Sequence, residues 1–153
     1  MLEEGKKTPA FSLKDKDGEK HSLKNFEEDY LVLFFYPKDN TPGCTIESKG
    51  FSAMKKKFEK LDTKLIGISG GDERSKTKFC EKHNLTALML SDTDFKLSEK
   101  LGIYGEKKFM GKTYMGISRS TFVVGPDRKI LKVYNKVKPA THPQEVYDFI
   151  KGL

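Results

Sequence analysis

Six consecutive apolar residues, Leu31-Val32-Leu33-Phe34-Phe35-Tyr36, constrain the fold of this chain more than any other stretch. The run is far shorter than the ~18 residues of a membrane span. Closed off by Pro37, it reads as a buried central strand. A second buried strand, Leu65-Ile66-Gly67-Ile68, follows a segment of helical spacing from Cys44 to about Leu61, with Phe51, Met54, Phe58 and Leu61 on one face. Asp72 to His83 reads as a helix with Asp72 or Ser75 as its cap, Leu88-Met89-Leu90 as a short strand, and Phe95–Leu101 as a further helix. Asp17-Gly18 marks a hairpin between Phe11–Leu13 and Lys20–Leu23. Gly125-Pro126-Asp127-Arg128 marks another between Thr121-Phe122-Val123-Val124 and Ile130–Tyr134, and a last helix runs from about Pro143 to Ile150. Residues 102–118, rich in Gly, Lys and aromatics, are expected to be loop.

A βαβ unit, a helix-bearing crossover, a β-hairpin and a closing helix predict an α/β fold with a mixed central sheet flanked by helices. This order matches the thioredoxin-like architecture, and the terminal hairpin argues against a flavodoxin-like doubly wound sheet. The 153 residues fit a single domain, 1–153. No apolar run is long enough for a membrane helix, and Met1–Lys7 lack the apolar core of a secretory signal, so the expected compartment is the cytoplasm. The net charge of +7 comes almost wholly from lysine, with Arg74, Arg119 and Arg128 the only arginines. These lysines are interspersed with acids, as in Lys55-Lys56-Lys57-Phe58-Glu59-Lys60. That pattern describes solvated helix faces rather than the arginine-rich, aromatic-interleaved patches of nucleic-acid binders.

Against this background one of only two cysteines stands in Asn40-Thr41-Pro42-Gly43-Cys44-Thr45, directly after the central strand. Thr41 suits an N-cap and Pro42 the first helical position, so Cys44 falls in the first turn. Gly43 allows a ligand to approach the backbone closely. Unpaired backbone N–H groups and the positive end of the helix dipole favour an anion there. The difference is large: a thiol of pKa ~8.5 is about 3% ionised at neutral pH, one of pKa ~6 about 90%. The other reading of Cys44 is a small buried hydrophobe. Zinc ligation and CxxC-type dithiol exchange both lack their spacing, and His21, His83 and His142 form no ligand pattern. Arg119 lies in Gly116-Ile117-Ser118-Arg119-Ser120-Thr121, against an apolar strand. Its fork of donors could serve a thiolate and an oxygen leaving group, or it could form an ordinary ion pair.

Taken together these stretches resemble the peroxiredoxins, and in particular the peroxiredoxin Q or bacterioferritin comigratory protein branch. The family pattern Pro-x-x-x-Thr-x-x-Cys is met by Pro37, Thr41 and Cys44, and its distant arginine by Arg119. The longer forms "FFYPKDNTPGCTIES" and "YGEKKFMGKTYMGISRSTFVV" are similar to that branch. The resemblance covers nearly the whole chain. It implies a thioredoxin-like fold and reduction of hydrogen peroxide and organic hydroperoxides, with no metal, heme or flavin. Cys44 would be the peroxidatic residue, Thr41 a hydrogen-bonding partner of peroxide and sulfur, and Pro37 a shield of the pocket. Arg119 would hold the thiolate and polarise the O–O bond, with backbone N–H groups at Gly43 and Cys44 as further donors. Glu47 matches an acidic or amide position of the pattern, and a solvent-facing helix residue fits it equally.

Many members of the branch carry a resolving cysteine five positions after the peroxidatic one, where this chain has Lys49. Another part of the branch carries it on the next helix, and Cys80 resembles that arrangement. Cys80 is either the resolving residue or an inert half-buried thiol. A disulfide needs Cα atoms within about 7 Å, so the first turn around Cys44 and part of the helix bearing Cys80 are expected to unwind before they join. The resemblance further implies a thioredoxin-like reductant as partner and a monomer. Phe109, Met110, Tyr114 and Met115 are expected to be packed, with a pocket rim or partner surface as the alternative.

Overall fold

The computed structural model describes residues 1–26 and 29–153, with the Phe109 side chain outside the described part. The apolar run forms β3 (Tyr30–Phe35), preceded by the hairpin of β1 (Ser12–Lys14) and β2 (Lys20–Ser22). The Asp15 carboxylate shapes that hairpin turn by accepting from the N–H groups of Asp17 and Glu19, and Gly18 takes the left-handed backbone at φ 78°. After β3 come α1 (Pro42–Ala53), α2 (Lys55–Glu59), β4 (Thr63–Ser69), α3 (Glu73–His83), β5 (Leu88–Ser91) and α4 (Lys96–Lys100). The chain closes with β6 (Tyr104–Phe109), β7 (Lys112–Ile117), β8 (Ser120–Val124), β9 (Ile130–Asn135) and α5 (His142–Lys151).

Seven strands make one mixed sheet in the order β2-β1-β5-β4-β3-β8-β9. The neighbours β3, β4 and β5 run parallel, and β8 pairs antiparallel with both β3 and β9. Every residue from Leu31 to Tyr36 is fully buried because successive side chains enter opposite cores. Leu31, Leu33 and Phe35 share a core with Ile66, Ile68, Phe122, Leu97 of α4 and Leu101 just past its end. Val32, Phe34 and Tyr36 meet Phe51 of α1, Phe58 of α2, Phe79 of α3, and Val146 and Ile150 of α5. This is the thioredoxin-like α/β arrangement expected from the element order, and it sets α1, α3 and α5 on one face. No helix among the described residues is long and apolar enough to cross a membrane.

Two expectations are corrected. The segment 102–118 is not a loop but a two-stranded antiparallel hairpin of β6 and β7, turning at Met110-Gly111. The helix expected from Cys44 to Leu61 is two helices. At Met54 the backbone leaves helical geometry (φ −99°, ψ 4°) and its N–H bonds back to Phe51 O, three residues away. No Gly or Pro marks that break; it turns α2 onto β4, so packing rather than local chemistry places it.

Candidate active site

The loop from Pro37 to Thr41 leaves the C-terminal end of β3, and α1 begins at Pro42 with Thr41 as N-cap (φ −96°, ψ 156°). Cys44 is therefore the third helical residue, fully buried and free of any disulfide. The Thr41 side chain makes no capping bond to the helix; its hydroxyl donates instead to Lys38 O at 2.9 Å. That bond tightens the loop and leaves the hydroxyl oxygen's acceptor side for another donor. Pro37 is half-buried at the loop's start.

Arg119, in the short connection between β7 and β8, reaches the same helix turn. Its Nη2 donates to Cys44 Sγ at 3.2 Å and its Nη1 to Glu47 Oε1 at 3.1 Å. One planar fork thus fixes a sulfur and a carboxylate three residues apart on one helix face. Gly43 favours this close approach, because a Cβ there would stand 3.0 Å from Arg119 Nη2 and press the guanidinium aside. The close approach that glycine permits is made by the guanidinium. Glu47 is fully buried, not solvent-facing, and its Oε2 has no partner among the described residues. Burial pushes its carboxyl up to about 7, and Arg119 opposes the rise. Lys107 of β6 adds a second cation nearby, donating to Ile117 O at 2.8 Å. Burial lowers its pKa, as does Arg119, while Cys44 acts the other way.

Cys80 forms no disulfide with Cys44. It lies on α3, 8% exposed, a separate free thiol that shares the same apolar cluster. It borders a cavity of about 390 Å³ whose lining includes His21, Phe26, Leu85 and Met89 but not Cys44. Burial pushes its thiol up, and Lys76 pulls it back. The histidines have other partners: His21 pairs with Asp15, His83 with Asn40, and His142 with Thr121 and Glu145. Asp15, Glu19 and His21 come within 4.8 Å of one another, but both Asp15 oxygens already serve its turn and His21. Met110, Tyr114 and Met115 are exposed, not packed. The side chain of Phe109 lies outside the described residues.

Sequence reasoning missed a buried polar group behind the loop. Lys76 of α3, 0% exposed, donates to both oxygens of Asp39 at 3.1 and 3.0 Å and to Ser69 Oγ at 2.6 Å. The signal was present in the spacing, since Lys76, Phe79 and Cys80 occupy i, i+3 and i+4 and so put a lysine on the apolar stripe of α3.

The AhpC/TSA family profile matches residues 5–133. The chain is 41% identical over 152 residues to "Peroxiredoxin Bcp" of Bacillus subtilis, covering 99% of this chain and 97% of that protein. It is 38% identical over 150 residues to "Peroxiredoxin Bcp" of Escherichia coli, covering 98% and 96%. Among solved structures it is similar to PrxQ of Xylella fastidiosa, with TM-score 0.93, 30% identity, and 99% and 97% of the two chains covered. It is also similar to the bacterioferritin comigratory protein of Xanthomonas campestris, a structure described for its alkyl peroxide reduction activity, with TM-score 0.87, 33% identity, and 93% and 90% covered. Over nearly its whole length, then, the chain belongs to the AhpC/TSA family, on its peroxiredoxin Q or bacterioferritin comigratory protein branch, and is a thiol peroxidase.

Proposed function

We propose that Cys44 is the peroxidatic residue and that the whole chain, acting as one domain and as a monomer, reduces hydrogen peroxide and organic hydroperoxides in the cytoplasm. The observation that carries this reading is the 3.2 Å hydrogen bond from Arg119 Nη2 to Cys44 Sγ at the start of α1. The Cys44 thiolate attacks the nearer peroxide oxygen. An S–O bond forms, the O–O bond breaks, and the sulfur becomes a sulfenic acid while the other oxygen leaves as alkoxide or hydroxide and takes a proton. Arg119 and the backbone N–H groups of Gly43 and Cys44 face the charge that develops on oxygen. Thr41 orients the peroxide through its hydroxyl, and Pro37 limits water at the rim. Glu47 fixes the second arm of the Arg119 fork, so the guanidinium is held in place before substrate arrives.

Cys80 then resolves the sulfenic acid. Its thiolate displaces water from the oxidised Cys44 sulfur to give an intramolecular disulfide, which a thioredoxin-like dithiol reduces. Both sulfurs are buried in separate helices, so this step requires local opening of α1 and α3. The test compares wild type, Cys44→Ser and Cys80→Ser in peroxide-dependent oxidation of thioredoxin. Cys44→Ser is expected to be silent, and Cys80→Ser to accumulate sulfenic acid without turning over. Intact-mass analysis after one equivalent of peroxide is expected to show a Cys44–Cys80 crosslink in the monomer. A fully active Cys44→Ser protein would end the proposal, and a wild type that cycles without the crosslink would remove Cys80 from it.

A further inference from the structure

The loop before Cys44 and the helix bearing Cys80 are tied to each other by buried polar contacts. Asp39 stands five positions before Cys44, and Lys76 one helical turn before Cys80. The Asp39 side chain is 2% exposed and that of Lys76 0%. Around this carboxylate gather Tyr36 Oη at 2.6 Å, Ser69 Oγ at 3.2 Å, Ser75 Oγ at 2.6 Å and Lys76 Nζ at 3.0 and 3.1 Å. The donors thus come from the ends of β3 and β4 and from the first turn of α3. Gly71 lets the carboxylate in, since a Cβ there would overlap it and Ser75 Oγ. Burial alone would raise the Asp39 carboxyl, but Lys76, Ser75 and Tyr36 outweigh it and hold the group below its ordinary value. At the surface a second tie joins the same two segments, His83 of α3 to Asn40 Oδ1 at 2.9 Å.

A buried ion pair is a poor general source of stability, yet it is costly to break by removing one partner. Where it bridges two segments, it resists their separation while leaving the rest of the fold to apolar packing. We propose that Asp39 and Lys76 are positioning residues for the resolving step: their ion pair latches the Cys44 loop onto the Cys80 helix and sets how often the two segments open together. This rests on the assignment of Cys80 as the resolving residue. A tight latch keeps Cys44 folded beside Arg119 for attack and delays the disulfide, which leaves the sulfenic acid longer in reach of a second peroxide and of oxidation to sulfinic acid.

Opening is read first without any peroxide. In a Cys44→Ser background, the rate at which iodoacetamide alkylates Cys80 is compared with and without Asp39→Asn and the milder Ser75→Ala, and urea unfolding is followed in parallel. Alkylation is expected to rise at least tenfold in Asp39→Asn and about threefold in Ser75→Ala, by more than any change in global unfolding accounts for. The same substitutions with Cys44 intact are expected to speed Cys44–Cys80 disulfide formation by similar factors and to lower the sulfinic fraction at high peroxide. Alkylation that stays unchanged, or that follows only global stability, overturns the latch. Should Asp39→Asn fail to fold, Ser75→Ala alone decides, because it strips a 2.6 Å donor from the Asp39 carboxylate and so loosens the latch without leaving a buried charge unpaired. Faster alkylation in a protein whose wild type forms no disulfide overturns the resolving step, and with it the catalytic purpose of the pair, but not the tie between the segments.

Discussion

Arg119 serves two acceptors from two nitrogens, and a lysine cannot do so from the same place. An ammonium is one point charge on a flexible stem, whereas the guanidinium fork matches Cys44 Sγ and Glu47 Oε1 simultaneously. Arg119→Lys is therefore expected to lower the second-order rate of reaction with peroxide about 100-fold, the order lost when one preorganised donor is removed from a developing anion. Stopped-flow competition against a second thiol peroxidase measures it, and a rate within a factor of three of wild type would deny the fork any role. Glu47 gives a pH dependence. Its carboxyl titrates at about 7 in the fold against 4.5 ordinarily, because burial disfavours the charge more than Arg119 favours it. The folded state binds this proton more tightly than the unfolded chain does. The resulting stability is complete below pH 4.5 and is lost as pH rises to about 7, a difference on the order of 3 kcal/mol. Glu47→Gln removes that slope. Buried His142, its pKa lowered by burial, works in the other direction, costing stability as pH falls below 6.5. Subtracting the urea-unfolding profile of Glu47→Gln from that of wild type isolates the Glu47 contribution, and parallel profiles between pH 5 and 8 would refute it.

At the scale of elements, legibility followed burial. β3, β4 and β8 were readable as strands because both of their faces lie in core, which leaves an unbroken apolar run. The β6–β7 hairpin was not readable. Lys108, Lys112, Thr113, Tyr114 and Met115 are exposed, so no alternation of buried and solvated residues marks it. Its turn is also disguised: Phe109 pairs with Lys112 across Met110 at φ 52° and Gly111 at φ 76°. Two left-handed residues are what a type I′ turn demands, and Asn-Gly, not Met-Gly, is its usual sequence. Met110 is 87% exposed and contributes little packing. Met110→Asn is accordingly expected to stabilise the protein by roughly 0.5–1 kcal/mol through relief of backbone strain. Thermal unfolding reads this as a higher midpoint, and a lowered midpoint would mean that the methionine makes a contact worth more than the strain.

Across the whole molecule, the candidate site was legible where chemistry is local and hidden where it is long-range. Thr41, Pro42 and Cys44 announce a helix start, and Arg119 stands out in a chain that uses lysine for almost every positive charge. The pairing of Asp39 with Lys76, 37 positions apart, exists only once α3 packs behind the loop, and no local rule reports it. Long-range packing also seats the helix that carries Cys44. Phe51 of α1 stacks on Phe34 of the sheet at 4.4 Å between centroids and meets His142 of α5 edge-on at 5.7 Å. Beside it Gly50 lets α5 come close: a Cβ there would lie 2.8 Å from Cγ of buried Pro143. Two effects then compete in Gly50→Ala. Alanine favours the helix by about 1 kcal/mol over glycine, whereas overpacking against a ring fixed at the start of α5 costs about 1–3 kcal/mol. The ring cannot swing aside as a long side chain would, so the second effect wins and a net loss of about 1 kcal/mol is expected in urea unfolding. Pro143→Ala in the same chain removes the obstructing Cγ, so the double variant is expected to recover most of that loss relative to Pro143→Ala alone. Additive effects of the two substitutions would show that α5 does not press on α1 at this point.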